Sequence, residues 1–235
     1  MTFVRFFSVL AMAATLALPV ALADADAPKE IVMETPDIPV WQPQGGETIS
    51  FIVRRNGSKF GTHQVTFERD EAGILTVEND ISLKVKLGPI TAYNYAHEST
   101  ETWSDGVLKA ISGKTRKERK DLTIEATNGG ETLKVDGTRF QGELPANIVP
   151  SSHWNIQQMF SSAILSSEGG QVLPIEVVRE GTETVEVNGE DVAATKFLLK
   201  SDLDVNLWYD EAGRWVKCSF DARGQNIVYE LQDLY

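Results

Sequence analysis

From Thr48 to Leu231 apolar and polar residues alternate with a period of two, interrupted at short intervals by Asn, Asp and Gly. Ile49, Phe51 and Val53 alternate with Thr48, Ser50 and Ile52. The clearest case is Leu75 to Leu87, where Leu75, Val77, Ile81, Leu83, Val85 and Leu87 fall on one face and Asn79 is the single break. Its other face carries Thr76, Glu78, Asp80, Ser82, Lys84 and Lys86. Such alternation predicts strands with one face in a core and one in water. At about 3.3 Å per residue this run spans roughly 40 Å, as one long bent strand or two short ones meeting near Asn79.

The punctuation predicts hairpins. Asn56-Gly57, Asp105-Gly106, Asn128-Gly129-Gly130, Asp136-Gly137, Asn188-Gly189 and Arg223-Gly224 supply residues that tolerate tight turns. Asp-Glu-Ala-Gly occurs twice, at Asp70 to Gly73 and at Asp210 to Gly213. The segments flanking the two copies share only their β pattern, which predicts two similar hairpins and not a duplicated domain. One segment departs from the rhythm. After Pro150, Ser151 and Ser152 offer N-caps, and Trp154, Ile156, Met159, Phe160, Ala163 and Ile164 follow at helical spacing until Gly169-Gly170. The expected fold is mainly β: an antiparallel meander curled into a barrel or half-barrel, with one α-helix over about residues 152–167 covering or plugging it.

The first residues read as an export signal, with Arg5 as the positive region, Phe6 to Val20 as the apolar region and Ala21-Leu22-Ala23 as the cleavage site. Residues 1–23 are therefore set apart from the fold, residues 24–46 form a lead-in rich in proline and acids, and residues 47–235 form a single β domain. Trp41 is expected to pin the lead-in to the body, because an exposed indole is costly. No integral membrane segment is expected after cleavage. Export without a disulfide framework, Cys218 being the only cysteine, points to a bacterial periplasm.

The formal net charge is −12. A surface of that sign repels phosphate backbones and anionic lipids, which argues against nucleic-acid binding and general membrane adhesion. The basic run Lys114, Arg116, Lys117, Arg119 and Lys120 stands out against it and reads as a wet hairpin tip.

Candidate chemistry is sparse. His63, His97 and His153 form no metal-ligand spacing, and the first two share strand faces with apolar residues, so each reads as a hydrogen-bonded strand histidine. Cys218 alternates with Val216 and Phe220 and reads as a buried, inert thiol. Glu98, Glu101 and Asp105 cluster around Trp103 in sequence but suit a polar hairpin edge. Asp202, Asp204 and Asn206 share the face of a predicted strand and lack the glycine turn and bidentate glutamate of a calcium loop. No serine-hydrolase elbow, phosphate loop or cysteine-pair motif occurs, so no cofactor, metal or enzymatic activity is indicated. The remaining candidate site is aromatic, with Tyr93, Tyr95, Trp103, Trp154, Phe160 and Trp208 as its expected ligand-binding residues.

Ser152-His153-Trp154-Asn155, Leu207-Trp208-Tyr209-Asp210 with Gly213, and Phe220-Asp221-Ala222 with Gly224 to Leu231 carry a family resemblance. So do Gly61-Thr62-His63 and Glu101-Thr102-Trp103 with Asp105-Gly106-Val107-Leu108. Together these motifs resemble an uncharacterised family of exported bacterial β-proteins known only as a domain of unknown function. In general shape the chain is also similar to periplasmic lipid-handling half-barrels, such as lipoprotein carriers and isoprenoid-binding barrels. The expected function is that of a non-enzymatic periplasmic binder or carrier of an apolar or amphiphilic small molecule. The alternative is an envelope protein–protein interaction module with a solid core.

Overall fold

A computed structural model describes residues 31–34, 37–87, 90–117 and 119–233. The predicted export signal, residues 1–23, lies outside the described residues. Strands run in chain order: β1 (Thr48–Arg55), β2 (Ser58–Arg69), β3 (Leu75–Leu87), β4 (Ile90–Ser104), β5 (Val107–Lys117), β6 (Lys120–Asn128), β7 (Thr132–Gly137) and β8 (Gln141–Pro145). After the inner strands β9 (Val149–Pro150), β10 (Ala163–Leu165) and β11 (Val172–Pro174) come β12 (Glu176–Val187), β13 (Glu190–Lys200), β14 (Val205–Asp210), β15 (Trp215–Ala222) and β16 (Gln225–Leu231).

Thirteen strands make one antiparallel sheet in the order β12 to β16, then β1 to β8. The first strand therefore sits inside the sheet, paired with β2 on one side and with β16 on the other, Phe51 opposite Leu231 and Arg55 opposite Ile227. The sheet ends in two open edges, β12 and β8, and does not close into a barrel. β3 is a single 13-residue strand, so the run is not divided near Asn79, and Leu75, Val77, Asn79 and Leu83 are buried on one face as the alternation predicts.

Residues 149–174 lie inside the curl. Gln158 reaches Tyr209 on β14, Phe160 packs on Phe197 of β13, Trp154 on Phe67 of β2, and Ser167 on Gly113 of β5. One short segment touching strands from both arms requires that the sheet wrap around it. Glycines let it approach: a Cβ on Gly137 would sit 2.3 Å from the Gly169 carbonyl oxygen.

The expected helix over residues 152–167 does not form. Asn155 caps only a five-residue 3-10 turn, Ile156–Phe160, and Ser161 turns into extended backbone with its hydroxyl donating to the Ala163 carbonyl. The chain then pairs as β10, parallel to β9 and antiparallel to β11. A surface helix needs one wet face, whereas this segment is buried nearly all round. Its serines also offer the backbone local partners that compete with helical bonds.

The described part of the lead-in is packed down. Met33 bridges Ser161, Trp41 meets Phe67 edge-on at 4.9 Å, and the Arg69 guanidinium donates twice to the Pro43 carbonyl. The two Asp-Glu-Ala-Gly turns share one geometry: Asp70 Oδ1 accepts from the amides of Ala72 and Ile74, and Asp210 Oδ1 from those of Ala212 and Arg214. Gly213 has φ +79° and lies against the lead-in, where a Cβ would meet the Pro39 carbonyl at 2.0 Å.

Candidate functional site

Antiparallel register places residues in rows across the sheet. One inner row runs His63 (β2), Ile81 (β3), His97 (β4), Thr115 (β5); the next, Val65, Asn79, Ser99, Gly113; the next, Phe67, Val77, Glu101, Ile111. His63, Asn79, His97, Ser99, Thr115 and Glu101 are all buried. Polar side chains thus form a band across the otherwise apolar concave face, roofed by the inner segment.

Above the upper two rows lies a cavity of about 340 Å³. Its wall takes His63, Asn79 and His97 from the sheet, Ser151, Ser152, Ser166, Ser167 and Gln171 from the inner segment, and Cys218, Phe220 and Tyr229 from β15 and β16. Tyr95, Lys117, Arg139, Glu168, Asp202 and Leu203 surround its upper part.

His97 is held at both ring nitrogens, Nδ1 by Thr115 Oγ1 at 2.7 Å and Nε2 by Ser99 Oγ at 3.2 Å. Burial pulls its pKa down to about 4, against the opposing pull of Glu168 and Asp80. A serine beside a histidine is half of an acyl-transfer apparatus, but here the orienting partner is a neutral threonine and both residues are buried. His63 has no hydrogen-bond partner on either nitrogen and packs edge-on against Trp215 (5.4 Å) and Tyr229 (5.8 Å). Burial, then the neighbouring His153 and His97, push it down to about 3. Both rings are neutral at pH 7.

Asn79 is buried with neither amide atom bonded, and Gln171 Oε1 is likewise without a partner. A small rotation would join Asn79 to His63, and each would still keep one free group. Such orphaned groups ordinarily cost about 1–3 kcal/mol each, which sets this wall apart from ordinary core. Burial keeps the Cys218 thiol and the Tyr229 hydroxyl protonated. Tyr95 Oη donates to Glu168 at 2.9 Å, and Lys117 lies 3.7 Å from the same carboxylate.

The row below is filled by rings, with Glu101 Oε1 left without a partner. Glu101 Oε2 accepts from the indole nitrogens of Trp103 and Trp154, each at 2.9 Å, and the two rings meet edge-on at 5.4 Å. Burial raises the Glu101 pKa, opposed by the indoles and by the Ser152 hydroxyl, which stands a small rotation from the carboxylate. His153 links the halves from a left-handed backbone (φ +67°), with Nδ1 on Gln158 Oε1 and its carbonyl accepting from Tyr209 Oη.

The six aromatic candidates do not converge. Tyr95 borders the cavity. Trp103 and Trp154 fill the lower half. Tyr93 lies beside Phe60 at 5.6 Å, and Phe160 packs on Phe197. Trp208 lies on the outer face between Lys196 and Lys217, its indole donating to Glu183. Glu98 and Asp105 are exposed while Glu101 is buried, so these acids form no cluster. Asp202 and Asp204 belong to the turn before β14 and not to a strand, because β14 begins only at Val205. No group of three or more metal-ligating side chains occurs among the described residues, and no helix among them is long and apolar enough to cross a membrane. Asn79, Gln171 and the paired serines were missed; the signal for Asn79 was its place as the polar break in an apolar face.

A solved β-barrel-like protein of the domain of unknown function DUF1849, from Brucella abortus, is similar in fold, with a TM-score of 0.54 and 12% identity over 80% of this chain and 97% of that one. No curated protein matches. The model of one family, DUF6134, a domain of unknown function, matches residues 51–232, and the chain belongs to that family.

Proposed function

We propose that the protein is a periplasmic, non-enzymatic binder or carrier of an amphiphilic small molecule, held between the curled sheet and the inner segment. The observation that carries this reading is the cavity of about 340 Å³ whose wall holds the unanswered polar groups of His63, Asn79 and Gln171 among Ile81, Ile164, Val205 and Tyr229. That volume is at the small end of ligand pockets, and a few polar groups in an apolar wall is their usual make-up. The ligand is uncharged where it meets His63 and Asn79, since both present neutral donors and acceptors.

An interaction module working through a sheet edge is the other reading. The β12 edge carries Arg179, Glu180, Glu183 and Glu186 and a bulge between Arg179 and Gly181, the devices by which sheets avoid edge pairing, so this edge weighs against it.

Native mass spectrometry of protein purified from its own periplasm tests the proposal. A retained small-molecule adduct that disappears in Asn79→Leu is the expected result. A bare mass, together with no thermal shift on adding lipid extract, would overturn it.

A further inference from the structure

Because the strands alternate in direction, hairpin turns fall at two ends of the sheet. The turns Asp70–Gly73, Asp105–Gly106, Asn188–Gly189 and Asp210–Gly213 share one end; Asn56–Gly57, the β5–β6 turn, Ser201–Asp204 and Arg223–Gly224 share the other, to which the cavity opens. The charges lean the same way, although the second end also exposes Asp202 and Asp204 in its Ser201–Asp204 turn and Asp221 beside Arg223–Gly224. Asp70, Glu71, Asp105, Glu190, Asp191 and Glu211 mark the first end. At the second, the neighbouring hairpins β1–β2, β3–β4 and β5–β6 and the β7–β8 corner expose Lys59, Lys84, Arg119, Lys120 and Arg139, none with an ion-pair partner among the described residues. Arg54 is answered by Glu230 and Arg116 by Asp121. Glu118, in the same hairpin as Arg119, lies outside the described residues.

Aromatic rings accompany these cations. Phe60 and Tyr93 lie side by side at this end, half-buried, with the Arg55 guanidinium 5.6 Å from the Phe60 ring centre. Basic side chains around half-buried aromatics are the composition that settles at a lipid headgroup layer. The cations are spread over separate hairpin tips around an opening, which meets a broad surface, and they form no continuous groove that would track a nucleic-acid strand.

We propose that this basic end docks on an anionic phospholipid surface, with the mouth of the cavity turned toward the headgroups. The net charge of −12 does not forbid it, because the acidic end faces away and screening confines attraction to charges within about 8–10 Å of the surface. The opposite signs at the two ends orient the molecule on approach. The inference rests on the rim alone and holds whether or not the cavity is filled.

Vesicle flotation of the purified protein tests it, using phosphatidylcholine mixed with phosphatidylglycerol against phosphatidylcholine alone, at low and high salt. Binding to the mixed vesicles at low salt is expected. Lys59→Glu with Lys120→Glu, a change of four charge units, should weaken it by roughly 600-fold, at about five-fold per unit of charge. The charge-matched pair Lys109→Glu with Lys134→Glu, exposed near the other end, should retain it. No binding to mixed vesicles, equal binding to neutral vesicles, equal loss in both pairs, or tighter binding of a single-stranded oligonucleotide would each overturn the proposal. Vesicle association is read without reference to any cavity ligand, so a bare mass in the native spectrum would leave this result standing.

Discussion

At the lower end of the interior Glu101 accepts from two indoles that also pack on each other, whereas one row higher Asn79 is buried with no partner and above it His63 has none. The two regions belong to the same strands and the same rows. They differ in what the inner segment brings: Trp154 to the lower rows, and small serines and Gln171 to the upper ones. A large ring fills the curl and answers one oxygen of its carboxylate, Oε1 being left without a partner. Small hydroxyl side chains leave room, and the sheet's own polar groups then look into it. Core and site are thus one surface covered in two ways.

The sharpest way to break this contrast is Trp154→Ala. It empties the filled half and removes one of the two donors to Glu101, and should cost about 3–5 kcal/mol in denaturant unfolding. Gly137→Ala comes next: the new methyl would displace the Gly169 backbone, lowering stability by about 1–3 kcal/mol and freeing the inner segment, seen as faster amide exchange over residues 163–172.

The halves should also respond to pH with opposite sign. The folded pKa of His63 is depressed to about 3 from 6.5, so its contribution is complete above pH 6.5 and is lost as pH falls toward 3, the unfolded chain taking up a proton that the folded ring refuses. The folded pKa of Glu101 is raised, so its contribution is complete below its ordinary 4.5 and is lost as pH rises through the folded value. His63→Phe should flatten the acid limb of a stability–pH curve, and Glu101→Gln should remove a decline on the side above pH 4.5. The smallest expected effect on stability is that of Asn79→Leu. Replacing an unanswered amide with an apolar group of similar size should leave unfolding within about 1 kcal/mol of wild type while abolishing any adduct.

The sheet was legible because alternation is local: strand by strand, residues such as Leu75 and Val77 declare their face without reference to partners. The inner segment was not. Trp154, Ile156, Met159 and Phe160 have helical spacing, but spacing marks a helix only where one side meets water, and nothing local says that this stretch is enclosed. The aromatic candidates failed for a related reason. Trp208 and Tyr209 are adjacent and both buried, one under lysine stems outside and the other against Gln158 within. Asn79 was visible as a violation of its strand's pattern. Its meaning depended on register, which alone brings it beside Val65 and Ser99.

The position of β1 has a consequence for how the molecule is made. It pairs with β2, its immediate neighbour in the chain, and with β16, whose Leu231 lies opposite Phe51 after nearly the whole sequence has intervened. Each arm of the sheet can form from short-range hairpins as the chain emerges, but the seam joining them needs the last strand. Long-range joints of this kind close late in folding. Truncation before Gln225 would therefore not trim an edge; it would split one curled sheet into two arms with new open edges at β1 and β15, and the space between them would no longer be an inside.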